Sequence, residues 1–173
     1  MTQEKDQEHA AADDASSLPY RRYAERGFRF AHAMLRNVDD AEETVQEAFC
    51  RLAAAKQLEP PAFEPRFFRT VRNLAIDRLR QRPHRAHLPL DESALPARAA
   101  APPDDAPLAP RLRRLVADLP APQRDALLLR VHGGLAYDAI AAALDATTTQ
   151  VRTWIFRARR KLEDGLRRAE PRP

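Results

Sequence analysis

The chain has 173 residues, 44% of them apolar, and a formal net charge of +4, which suits one ordinary domain or two small ones and excludes disorder throughout. Its single cysteine, Cys50, has no intrachain partner and indicates a reducing compartment. No segment has the apolar length of a signal peptide or a membrane span, and no Cys/His cluster suggests zinc. We therefore expect a cytoplasmic protein with no cofactor, no metal and no membrane insertion.

The charges are distributed unevenly. Residues 1–17 carry a net charge of −4 and are typical of a solvated, disordered acidic tail. Residues 64–85 contain seven arginines against two acids, and residues 148–173 contain eight basic residues against three acids, so each segment carries +5. Two basic segments favour a polyanionic partner such as DNA, because each neutralised phosphate releases condensed counterions. A pair of solvated helix faces is the simpler alternative.

Helical periodicity dominates, and no stretch alternates as a strand does. A first helix is predicted over about 19–36. The second is predicted to begin at Asp39, which can cap the first turn while Glu42, three residues later, completes a capping box. Its apolar side chains recur at spacings of four and three and form a core-facing stripe. This stripe contains Ala41, Val45, Ala48, Phe49 and Leu52.

The opposite face of the second helix bears acidic and amide side chains. These are Asp40, Glu43, Gln46 and Glu47. Such a face has little reason to approach DNA, so it is a candidate protein-docking face.

Three prolines within 57–65 predict a loop, after which Pro65 suits the first turn of a third helix that continues to about residue 82. Its inward side chains are Phe67, Phe68, Val71, Leu74 and Ala75. Its outward side chains are Arg66, Arg69, Asn73, Asp77 and Arg80. One face is thus expected to pack, and the other to meet solvent or phosphate.

Residues 83–107 are rich in proline and alanine without periodicity, which predicts a flexible linker between two domains, 18–82 and 108–168. Its four acids are Asp91, Glu92, Asp104 and Asp105. A short helix is predicted over about 108–119, and another from Pro122 to Val131, ended by two glycines. The overall prediction is an all-α chain of two small helical domains.

The last segment has helix-turn-helix spacing, with a short helix over 136–144, a turn over 145–147 and a longer helix from Thr148 to about Leu162. Thr147 can cap the longer helix while Gln150 reaches back from its third position. Asp145 stands where such turns often place glycine, and Asp tolerates the left-handed conformation at some cost.

The longer helix has an informative outward arc. Val151, Ile155, Ala158 and Leu162 form its inward stripe. The outward residues are Thr149, Thr153, Phe156, Arg157 and Arg160, with Arg152 at the edge. Arginine can read guanine edges, and Phe can pack on a thymine methyl. The alternative for Phe156 is packing against another helix or a partner protein.

These segments together resemble the extracytoplasmic function (ECF) sigma factors, the smallest type in the bacterial sigma-70 family. Residues 39–49 (DDAEETVQEAF) resemble that family's polymerase-binding helix, and residues 68–80 (FRTVRNLAIDRLR) resemble its promoter-melting helix. Three sets of residues resemble its C-terminal DNA-binding domain: Leu119-Pro120 with Gln123-Arg124, Gly134-Leu135-Ala136-Tyr137 with Ile140-Ala141, and Val151-Arg152 with Arg157-Ala158-Arg159. Several motifs in the family's order, on both sides of a linker, are a specific signal.

The resemblance implies a transcription initiation subunit, without catalysis of its own, that binds core RNA polymerase, promoter DNA and an anti-sigma factor. The polymerase-binding residues would be Asp40, Glu43, Gln46 and Glu47. The minus-ten element would be held by Arg66, Arg69, Arg72, Asn73, Asp77 and Arg80, with Asn73 near a flipped-out base. The minus-thirty-five element would be read by Thr149, Arg152, Thr153, Phe156, Arg157 and Arg160. The acidic linker could enter the polymerase channel, or serve solubility alone.

Two other classes are weighed against this one. An ordinary helix-turn-helix regulator would bind DNA without acting as a polymerase subunit. An enzyme is disfavoured, because the three serines lie in segments predicted to be unstructured and the four glycines form no phosphate-binding loop. Cys50, on the second helix, is more typical of a packed or idle thiol than of a nucleophile.

Overall fold

The computed structural model describes residues 23–59, 62–81 and 108–168, and all the regular structure in these ranges is α-helical. This confirms the predicted all-α class for the described part of the chain. Two compact units are present: among the described residues, the first comprises 23–81 with the turn 132–134, and the second comprises the remainder of 108–168. The predicted acidic tail (1–17) and linker (83–107) lie outside the described residues.

The first unit contains three helices. Helix α1 is described over residues 23–35, α2 is Val38–Ala54 and α3 is Phe63–Gln81. Helices α2 and α3 pack against each other. Between α1 and α2 the chain turns through Arg36, whose φ of 54° lies in the left-handed region.

The predicted start of α2 is wrong. The helix begins at Val38, and its cap is Asn37, whose side-chain Oδ1 accepts the Asp40 backbone N–H at 2.8 Å. Asn caps a helix as well as Asp does, and here it stands two residues earlier. Asp39 therefore falls in the first turn, where its negative charge still favours the helix dipole, and Glu42 stands too far along the helix to complete a capping box.

Helix α3 also begins earlier than predicted, at Phe63. Pro65 occupies the third helical position, which is tolerated because the first-turn N–H groups have no intrahelical acceptor. The earlier start buries the Phe63 ring in the core.

Aromatic rings build the centre of the first unit. Phe67 lies among them, with its ring centroid 4.6 Å from that of Phe49 and 5.2 Å from that of Phe68. The five buried phenylalanines are Phe30, Phe49, Phe63, Phe67 and Phe68. All the inward residues predicted for α2 and α3 are buried, so both predicted stripes are confirmed.

The second unit contains four helices. They are α4 (Leu108–Ala117), α5 (Ala121–Val131), α6 (Tyr137–Leu144) and α7 (Thr148–Arg167). Helix α7 packs against the other three. The buried side chains of this unit are mainly aliphatic and include Leu119, Leu127, Leu129, Leu135, Ile140, Val151 and Ile155.

The turn that precedes α7 has the predicted chemistry. Asp145 adopts the left-handed conformation at φ 55° and ψ 52°. Thr147 and Gln150 form a complete capping box at the start of α7. The helix continues past Leu162 to Arg167 because α4 supports its end: the Arg111 guanidinium donates to the Gly165 carbonyl at 2.6 Å.

Candidate functional site

The predicted docking face lies on the solvent side of α2. Gln46 is exposed, and the exposed fractions of the three acidic side chains are 28% for Asp40, 71% for Glu43 and 37% for Glu47. The structure thus brings the four predicted polymerase-binding residues together on one face of one helix. Arg51, one turn after Glu47, pairs with it at 2.6 Å.

One arginine from α3 reaches across to the acidic residues of this face. The Arg78 guanidinium lies 2.8 Å from Glu43 Oε2 and 3.2 Å from Glu47 Oε2, and 3.7 Å from Asp40 Oδ1. The hydrogen bond to Glu43 raises the pKa of Arg78 above its ordinary value, and the charges of Glu43 and Asp40 and the bond to Glu47 add to that rise. Arg78 is therefore a structural part of the acidic face.

The sequence prediction counted Arg78 only as one of seven arginines in a basic segment. A helical wheel contains the missing signal, since residue 78 follows the inward Leu74 and Ala75 by four and three positions. An arginine at the border of an inward stripe reaches the neighbouring helix, and here that helix is acidic.

The outward face of α3 bears the residues predicted for the minus-ten element. Five of them are exposed: Arg66, Arg69, Asn73, Asp77 and Arg80. The sixth, Arg72, is half-buried, and its guanidinium donates to Asn73 Oδ1 at 3.4 Å. Asp77 lies 3.8 Å from Arg80. The face is basic and also carries amide and carboxylate groups, so it can contact both phosphates and base edges.

The outward face of α7 bears the second predicted set. Thr149, Arg152, Thr153, Phe156, Arg157 and Arg160 are all exposed. The Phe156 side chain is 60% exposed, and the Arg160 guanidinium carbon lies 5.9 Å from its ring centroid. Within the described ranges Phe156 is therefore not packed into a core, which disfavours intramolecular packing as its role. A partly exposed ring beside cations suits a base or a methyl group.

Tyr137, which was not predicted from the sequence as a site residue, lies beside Arg152. The Tyr137 ring, at the start of α6, lies 5.2 Å from the Arg130 guanidinium carbon and 5.8 Å from that of Arg152. Arg130 is itself held by a 2.7 Å hydrogen bond to the Leu135 carbonyl. A ring within about 6 Å of a guanidinium group attracts it through the negative π-face, so Tyr137 can restrain Arg152 without neutralising its charge.

The described ranges contain no group of three or more potential metal ligands. In the same ranges no helix is both long and apolar enough to cross a membrane.

The fold and its surfaces define a two-unit helical protein with an acidic face, a basic helix and a helix-turn-helix. Known families match both units. The family described as sigma-70 region 2 matches residues 19–85, and the one described as sigma-70, region 4 matches residues 110–162. Together they cover more than half of the chain.

A curated relative and a solved structure agree with these matches. The ECF RNA polymerase sigma factor SigE of Mycolicibacterium smegmatis is 32% identical over 167 residues, a match that covers 90% of this chain and 65% of that protein's length. The sigma factor RpoE, crystallised with the anti-sigma factor NepR from Bartonella quintana, shares the fold with a TM-score of 0.61 at 20% identity, over 85% of this chain and 94% of that one. The chain belongs to the sigma-70 family, as its motifs predicted, and the curated relative that it matches is of the ECF type.

Proposed function

We propose that the chain is an RNA polymerase sigma factor that binds core polymerase and directs promoter recognition, strand opening and transcription initiation. The observation that carries the proposal is the pairing, within the first unit, of an acidic face on α2 with a basic outward face on α3. A carboxylate cluster repels DNA phosphates, so we assign that cluster to a protein partner. An initiation subunit, which holds polymerase and DNA together, needs both faces.

The proposed polymerase contact is the face formed by Asp40, Glu43, Gln46 and Glu47. Its carboxylates match a basic partner surface, and charge-assisted hydrogen bonds to arginine are the strong kind. Electrostatic complementarity of this sort mainly sets the association rate and the choice of partner. The name of the SigE relative, an RNA polymerase sigma factor, supports RNA polymerase as that partner.

The proposed minus-ten contact is the outward face of α3. Its arginines would hold strand phosphates, and this fixes register without reading sequence. Asn73 has amide donors and acceptors suited to the edge of an unstacked base. Asp77 can accept from a base amino group, so the carboxylate on this basic face adds selectivity.

The proposed minus-thirty-five contact is α7, entering the major groove as recognition helices do. Its capping box fixes the first turn, which contains Thr149, and Arg152 follows at the start of the second turn. The remaining contacts are Thr153, Phe156, Arg157 and Arg160. In this proposal 18–82 and 108–168 are the two functional domains, with 83–107 joining them.

The proposed setting is that of a cytoplasmic regulatory subunit with no catalysis of its own. The co-crystal structure of RpoE with NepR shows that a sigma factor of this fold binds an anti-sigma factor. That complex supports an anti-sigma partner for this chain as well. Release from such a partner would then control access to polymerase.

The test is transcription in vitro by core polymerase supplemented with this protein, on fragmented DNA of the source genome, with sequencing of the transcript starts. We expect new starts that share two upstream elements. An ordinary helix-turn-helix regulator would give none with core polymerase alone, although it would still bind DNA. That result would replace the sigma assignment.

The docking face is tested separately with Glu47→Lys, for which we expect a core affinity at least tenfold lower, since a close interfacial charge pair is worth about 1.5 kcal/mol or more. Glu25→Lys is the matched control. It makes the same charge reversal on α1, at a glutamate that pairs only one turn away with Arg29. An unchanged core affinity for Glu47→Lys would remove this face from the interface.

A further inference from the structure

The Arg78 cluster has a geometry that a simple surface ion pair lacks. Two nitrogens of one guanidinium contact two glutamates of α2, and an aspartate of the same face lies 3.7 Å from it. Only 18% of the Arg78 side chain is exposed, whereas 71% of Glu43 is. The cation therefore lies beneath the carboxylates, and the carboxylates remain open to solvent above it.

Like charges at spacings of three and four along a helix repel one another. Asp40, Glu43 and Glu47 have those spacings, and the Arg78 cation offsets their mutual repulsion. Glutamate side chains also lose rotamer freedom when a partner binds them. A guanidinium that bonds both glutamates removes part of that loss before the partner arrives.

We propose that Arg78 is the positioning residue of the docking face, holding the carboxylates of Glu43 and Glu47 in the arrangement that a basic partner surface meets. This inference rests on the proposed polymerase contact of that face. Because Arg78 lies beneath the carboxylates, the partner does not have to displace it. The Arg51 side chain, which pairs with Glu47, is 59% exposed. It lies where a partner would approach, so a basic side chain of the partner can replace Arg51 more easily than Arg78.

If net charge alone set the affinity, the loss of Arg78 would have the opposite effect to the one expected for a positioning residue. Removal of Arg78 makes the face more negative, so a basic partner should bind more tightly if only net charge mattered. If Arg78 positions the face, its removal should weaken binding in spite of the extra negative charge. The sign of the change in affinity therefore separates the two roles.

The experiment measures the affinity of the full-length chain for core polymerase in the absence of DNA. We expect about a tenfold loss for Arg78→Gln, since two glutamates must then be ordered on binding. Arg78→Lys should lose less affinity than Arg78→Gln, because it keeps the charge. Some loss should remain, because one ammonium cannot repeat the two-nitrogen contact. Arg29→Gln removes the same charge from α1, and its affinity for core polymerase should stay within about twofold of that of the unmodified protein.

A mutant cycle separates positioning from packing. In a Glu43→Gln, Glu47→Gln background, the Arg78→Gln change should no longer weaken core binding, because neither of the two glutamates that Arg78 bonds is left to position. An equal loss in both backgrounds would overturn the proposal in favour of a general packing role. Circular dichroism at the assay temperature checks that each variant is folded. If Arg78→Gln is not folded, Arg78→Lys, which keeps the charge, provides a second test.

The remaining outcomes distinguish this inference from the function on which it rests. If Glu47→Lys weakens core binding while Arg78→Gln leaves it unchanged or tightens it, the positioning role is overturned and the docking face stands. If neither change affects core binding, the docking face itself is lost and the inference falls with it.

Discussion

Two arginines of α2 and α3 pair with carboxylates of α2, whereas two arginines of α7 lie over aromatic rings. Arg78 and Arg51 bond acidic side chains of α2, while Arg152 lies over Tyr137 and Arg160 over Phe156. An ion pair fixes geometry and cancels charge, but a ring contact restrains a guanidinium and leaves its charge intact. In the proposed function, paired arginines thus belong to the docking face of the first unit, whereas Arg152 and Arg160 keep their charge on the DNA-facing helix of the second.

The two cores differ in a parallel way. Five phenylalanines form the centre of the first core, whereas the large apolar side chains buried in the second are leucine, isoleucine and valine. Ring stacks have few ways to repack, since each ring is restrained by its neighbours. The first unit should therefore tolerate core changes less well than the second.

The largest effect is expected for the centre of the aromatic core. Phe67→Ala should lower the free energy of unfolding of the first unit by about 3–5 kcal/mol, because it removes a fully buried ring and leaves a cavity. Denaturant unfolding monitored by circular dichroism measures the loss. Phe156→Ala makes the same deletion at an exposed ring and should change stability by less than about 0.5 kcal/mol. Similar losses for both would contradict the burial described here.

Two glycines give the next comparison. A Cβ at Gly27 would lie 2.7 Å from Phe67 Cζ, and one at Gly165 would lie 2.5 Å from Leu115 Cδ2. Gly27→Ala should cost about 2–3 kcal/mol, because the ring it meets is held by other rings. Gly165→Ala should cost under about 1 kcal/mol, since a half-buried leucine can rotate and alanine favours the helix. Equal melting temperatures would show that the aromatic core adapts as readily as the aliphatic one.

Arg152→Ala should cost roughly 1–3 kcal/mol in binding to the upstream element and relax its sequence preference. Duplexes carrying single base changes in that element, identified by the transcription experiment, measure the discrimination. Arg152→Lys keeps the charge and should retain binding to phosphates but lose selectivity. Unchanged discrimination in Arg152→Ala would exclude a base-reading role.

The sequence predicted the helices and their buried faces because each depends on local periodicity. Periodicity also predicted the exposed residues of α7 correctly. The capping box of α7 was predictable because that motif depends on residues close together in the sequence. It failed on the cap of α2, where Asn37 and Asp39 are both good caps and only the chain path after Arg36 selects between them. Contacts between helices, such as Arg78 with α2 and Tyr137 with Arg152, depend on packing distances that a single helix does not encode.

The smallest expected effect tests the ring contact that supports Arg152. Tyr137→Leu removes the π-face but keeps an apolar side chain, so upstream-element binding should weaken by about 0.5–1 kcal/mol, as measured by fluorescence anisotropy on the full chain. Tyr137→Phe keeps the ring and should bind nearly as the unmodified protein does. In an Arg152→Ala background the Tyr137→Leu effect should vanish, because the restrained cation is gone. An undiminished loss in that background would mean that Tyr137 supports the helix-turn-helix by packing, and that ring contacts do not orient the arginines of α7.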